Sequence, residues 1–246
     1  MKLKDLFTLE NKNVWLTALF YIALIVIGQL SATEFVIVYA IETIIIGLFH
    51  AIKMLTITFL SKTMQGDKGK GVGLTMFFLV HYGFFVFIQT TFFFVFLSMG
   101  DDRISDDFGI SNFITILQIK GVQVALTLMV ISHALKFWFN FYRNKRYENI
   151  DLGLYMFQPY VRIIIQQFVA IVPGFFIIFG NGGLAVAIVL ILIRTIVDLF
   201  ISQIKNDEGM FQKAVDFFMK DYKKNDDKRL EEEKVVQFLK LITEEV

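Results

Sequence analysis

The chain has no cysteine among its 246 residues, which excludes disulfides, thiolate metal sites and cysteine nucleophiles. Charge is scarce too: 19% of residues are charged, clustered between long apolar runs, and the formal net charge is +1. No basic stripe is present, so a nucleic-acid partner is excluded. There is no internal repeat and no low-complexity segment. No GxSG motif is present, which argues against intramembrane serine proteolysis. The apolar runs also carry no HExxH or other ligand pair at i, i+3 or i, i+4, so no metalloprotease signature is found.

What is abundant is apolar side chain. The composition is 56% hydrophobic, with 29 phenylalanines and a mean hydropathy of +0.61. These values describe an all-α membrane protein rather than a water-soluble domain. The stretch Phe35–Leu60 is the clearest part. It is an apolar run long enough to cross a bilayer, which takes roughly 20 residues, yet it contains Glu42, His50 and Lys53. A charge near the bilayer centre costs roughly 2.5–3.5 kcal/mol on insertion scales, so these groups are expected to face protein or water.

Six spans are predicted, at about 14–30, 35–60, 72–99, 117–141, 156–179 and 184–204. Together they make a transmembrane domain over residues 1–204. The first run follows three lysines and reads as an uncleaved span rather than a signal peptide. Ile110–Ile116 is expected at the membrane interface, and Gly180–Gly183 as a tight turn. The basic residues sort by side: Lys2, Lys4 and Lys12, then Lys62, Lys68 and Lys70, then Arg143, Lys145 and Arg146. The intervening loops hold Arg103 alone or nothing. The positive-inside rule therefore predicts both termini in the cytoplasm and a multi-pass protein of the inner (plasma) membrane. Residues 205–246 form a tail with apolar positions at helical spacing: Phe211, Val215 and Phe218, then Val235, Phe238, Leu239 and Ile242. Two amphipathic helices, packing on the membrane domain or docking a protein partner, are expected there.

Counting from the span ends puts His50, His81 and His133 at one level, roughly 12–15 Å inside the inner boundary at 1.5 Å per residue. Gln166, Gln167 and Arg194 fall near the same level, and Asp198 follows Arg194 at the spacing of a helical ion pair. Glu42 lies in the outer half. A polar intramembrane site in the cytoplasmic half is the compact description. Three histidines with a carboxylate are able to ligate a metal, and two facing histidines a haem. Structural hydrogen bonding or a water-filled cavity accounts for the same residues and is favoured over a cofactor. Arg194–Asp198 reads first as a structural pair, and Lys53, Lys136 and Arg162 are near enough to the boundary to snorkel.

Five stretches, IETIIIGLFHAIKM (41–54), FFLVHYGFF (77–85), ISHALKFWFNF (131–141), FQPYVR (157–162) and IRTIVDL (193–199), resemble an uncharacterised family of bacterial integral membrane proteins, domain of unknown function family 6498. The resemblance implies a six-helix fold and shared polar positions at Glu42, Lys53, His81, Tyr82, Ser132, His133, Asn140, Tyr160, Arg162 and Asp198. It also implies that the family often carries histidine where this chain has Gln89 and Gln167, and asparagine where it has His50. It implies no activity.

Three functions stay open. The first is a cavity that binds or transports a small solute, ion or proton. The second is an intramembrane metal- or haem-binding enzyme using His81 and His133. The third is a structural or partner-binding membrane protein docking through the tail. Substrate, oligomeric state and the existence of any reaction are not read from the residues.

Overall fold

The computed structural model describes residues 11–98, 104–160, 163, 183–220 and 228–243. In chain order its helices are α1 (Lys12–Val26), α2 (Ala32–Leu60), α3 (Lys68–Ser98), α4 (Ile110–Leu117), α5 (Lys120–Lys136), α6 (Leu152–Met156), α7 (Gly183–Asn206), α8 (Glu208–Met219) and α9 (Lys228–Thr243). No strand occurs among the described residues.

Four stretches are long and apolar enough to cross a membrane: Ile37–Leu60, Lys68–Val95, Lys120–Arg143 and Ala187–Asn206. They correspond to the second, third, fourth and sixth expected spans. The first apolar helix is shorter than expected. It ends at Val26, and Gly28 adopts a φ of 71°, turning the chain toward the cap of α2. Only glycine takes that backbone region without a steric cost. The fifth expected span lies outside the described residues beyond Tyr160, Ile163 excepted, and so do Pro173 and most of the Gly180–Gly183 turn.

The chain divides into two compact units, one from Ile22 to Leu190 and the other from the residues up to Tyr21 with those from Ile191 onward. In the first, α2 is the central element. Ser31 caps it: the hydroxyl accepts from the Glu34 N–H at 3.1 Å, and the Glu34 carboxylate accepts from the Ser31 N–H at 2.6 Å. This reciprocal box satisfies two of the donors that a helix start leaves unpaired. At 29 residues, α2 is about 44 Å long.

Helix α3 returns antiparallel along α2. Two glycines permit the approach. A Cβ on Gly71 would lie 2.5 Å from the Thr58 side chain, and one on Gly47 would overlap the Tyr82 ring. Tyr82 donates to the Thr43 carbonyl at 2.9 Å in the same seam. Helix α5 runs parallel to α2, because Gly121 lies against the Glu34 carboxylate near one end while His133 stacks on Phe49 further along. At the far end, the Ser61 hydroxyl donates to the Glu148 carbonyl at 3.2 Å, so the loop after α2 meets the loop after α5. At the opposite end, Ile37, Val38, Phe93, Phe94, Leu97, Ile116 and Val122 make a core that α4 helps to close.

The outer surface of this unit is apolar: Val80, Phe84 and Phe77 on α3 and Val124, Leu128 and Leu135 on α5 are exposed. A water-soluble helix shows the reverse pattern, with its polar residues outward. The fourth expected span also changes period near its end. Phe137–Arg143 is a π-helix, and Lys145, with a φ of 52°, terminates the segment.

In the other unit, α1 and α7 lie antiparallel. Ser202 donates to the Asn11 side-chain oxygen at 2.6 Å, and the Arg194 guanidinium lies 5.7 Å from the Tyr21 ring centre. Helices α8 and α9 form a hairpin whose core is Val215, Met219 and Leu239 with Phe211, Ala214, Val235 and Val236. Asp207 caps α8 by accepting from the Met210 N–H. Phe211, Val215, Val235 and Leu239 of the two apolar stripes thus cover one another, whereas Phe218 stays exposed.

Candidate functional site

One face of α2 repeats at intervals of three and four residues through Tyr39, Glu42, Ile46, His50, Lys53 and Ile57. Around its lower part the structure assembles aromatic rings. His50, 3% exposed, lies against Tyr155 of α6, with ring centres 4.5 Å apart and planes 14° from parallel, and against Phe78 of α3 at 4.9 Å. Phe141, from the π-helix, stacks on Tyr155 and carries the Lys53 ammonium 5.8 Å above its ring centre. A cation over such a face gains about 0.5–2 kcal/mol, the higher figure applying away from water.

Tyr160 closes the group from the other side. Its hydroxyl is hydrogen-bonded to His81 Nδ1 at 2.7 Å, and its ring meets Phe78, Tyr82 and Phe85 edge-on. Ring contacts therefore run without a break from Lys53 through Phe141, Tyr155, His50, Phe78 and Tyr160 to His81. Within that series the His81–Tyr160 pair is the part able to hold or pass a proton, since each partner both donates and accepts. The stacked rings fix the imidazole planes.

Not every residue singled out from the sequence joins this group. His50, Lys53, His81 and Tyr82 do. His133 stacks on Phe49, whose position on α2 is rotated about 100° from His50. Those contacts still keep the three histidines at one level of the unit. Asn140 is exposed in the π-helix, and Ser132 is exposed on α5. Glu42 is buried, about 12 Å along α2 from His50. Arg194 and Asp198 belong to the other unit, where their side chains approach to 3.8 Å. Arg162, Gln166 and Gln167 lie outside the described residues. Among the described residues no group of three or more histidine, aspartate or glutamate side chains is placed to hold a metal.

Tyr155 and Phe78 were the unforeseen members. Neither carries a signal of its own in a chain with 29 phenylalanines and eight tyrosines. Only the pairing of helices singles them out.

The described residues define the class: an all-helical chain with four helices long and apolar enough to cross a membrane, and with titratable side chains built into them. Within that class the chain belongs to the DUF6498 family, a family of unknown function whose pattern matches residues 1–227. No curated protein and no solved structure matches it.

Proposed function

We propose that the protein is a six-span membrane protein of the plasma membrane with both termini cytoplasmic, and that its polar groups in the cytoplasmic half bind or carry a small solute or proton. The His81–Tyr160 hydrogen bond is the observation that carries this reading. It joins two proton-exchanging groups from different parts of the chain beside the rings of Phe77 and Phe85, with His81 exposed on the surface of its unit, in a family with no assigned activity. His50, Lys53 and Tyr82, from the same unit, are the further polar positions of the proposed site. The side of the membrane is supported by the basic residues at 62–70 and 143–146, whose loops meet at Ser61 and Glu148.

Proton flux into liposomes containing the purified protein tests the reading. His81→Ala and Tyr160→Phe are expected to lower an imposed-gradient flux at least tenfold. Flux equal to wild type in both variants rejects a proton path. Elemental analysis and an absorption spectrum of the same preparation, beside the His81→Ala/His133→Ala double variant, test the metal- or haem-binding alternative.

A further inference from the structure

Gln89 lies on α3, in the half of the unit away from the histidines. Its side chain is 5% exposed, and neither its amide nitrogen nor its amide oxygen has a hydrogen-bond partner among the described residues. A buried polar group left unmade is costly, and an amide leaves two such groups at once. The α2–α3 seam supplies the setting. The register set by Gly71 against Thr58 and Gly47 against Tyr82 continues to bring Gln89 level with Ala40 on α2. Ala40 is small and buried, and Thr43 and Glu42, also buried, lie within a turn of it, the latter about 3 Å further along the axis. Thr90, beside Gln89, is buried as well.

We infer that Gln89 is a binding position for a small neutral molecule that offers both a hydrogen-bond donor and an acceptor, either water or a solute of that chemistry. The amide presents one group of each kind, so a single molecule of this class pairs with both. A cation or anion would leave one of the two unsatisfied. The inference does not depend on the histidine site: it concerns a different level of α2 and α3, and liposome flux through His81 leaves it untouched.

The absence of native cysteine makes the test direct. In native membranes, Gln89→Cys is expected to react with 2-aminoethyl methanethiosulfonate at least tenfold faster than Phe94→Cys, a fully buried control in the neighbouring core. In detergent, the near-isosteric Gln89→Met is expected to lower the Tm by about 3 °C, the scale of a lost polar contact in a chain of this size. Urea and glycerol at 10 mM then separate the sources. A rise in wild-type Tm that Gln89→Met abolishes assigns a solute, and no rise with the lowered Tm of Gln89→Met assigns water. A Gln89→Cys rate no faster than that of Phe94→Cys overturns the inference. So does a Gln89→Met protein that melts at or above the wild-type temperature, because an orphaned amide is improved by removal. Should Gln89→Met not fold, the thiol rates decide alone.

Discussion

Single side chains control how closely α2 and α3 approach. Gly47 has no room for a methyl group beneath the Tyr82 ring. Gly47→Ala is expected to push the helices apart and cost about 1–3 kcal/mol, read as a lowered Tm in detergent. Ser31→Ala removes one half of the capping box at the start of α2 and is expected to cost about 1 kcal/mol by the same measurement. Histidine placement was only partly readable at this scale. Counting residues along each span gives depth, because a helix has a fixed rise. It cannot give the ring that each imidazole meets. Phe78 faces His50 because Gly71 and Gly47 set one register between α2 and α3, and a different register would put another of the many aromatic residues there.

At the scale of elements, the apolar runs translated well into helices α2, α3, α5 and α7, since about 20 apolar residues in a row leave the backbone no other economical way to pair its polar groups. The π-helix at Phe137–Arg143 left no such trace. Its aromatic sequence, FWFNFYR, is equally compatible with an α-helix. Phe141, which meets Tyr155 and Lys53, lies within it. The tail shows a related gap: periodicity revealed two amphipathic faces, but their mutual pairing in α8 and α9 is a tertiary fact. Leu239→Asp places a charge in the core of that hairpin. Limited trypsin treatment of the variant is expected to cut between Lys220 and Lys240 at least tenfold faster than in wild type, while the span-bearing fragment survives. Equal cleavage rates would show that the hairpin is not held by this contact.

For the whole molecule, the testable quantity is sidedness. Helix α2 is antiparallel to α3 and parallel to α5, so Ser31 and Ser105 lie toward one end of their unit and Thr63 and Lys145 toward the other. Single cysteines at these four positions, labelled from outside with an impermeant maleimide on intact cells, are expected to separate into two pairs. Ser31→Cys and Ser105→Cys should label, and Thr63→Cys and Lys145→Cys should label only after the membrane is opened. Labelling of all four from outside would refute the six-span arrangement. The charge pattern is what predicts this sidedness, because nine basic residues fall on alternate polar segments. The extent of the first span was less so: hydropathy runs on to Leu30, whereas the helix ends four residues earlier, at Val26, and Gly28 turns the backbone.

The pairing of α1 with α7 has a consequence in time. Asn11 and Ser202 are 191 residues apart in the chain. At synthesis rates of about 5–20 residues per second, roughly 10–40 s pass between the emergence of one and of the other. Helix α1 is made before α7 and is the shorter apolar helix, and α2, α3 and α5 all leave the ribosome before its stabilising neighbour does. For that interval Tyr21 and Asn11 are without Arg194 and Ser202, and the order of manufacture is the reverse of what the first helix needs.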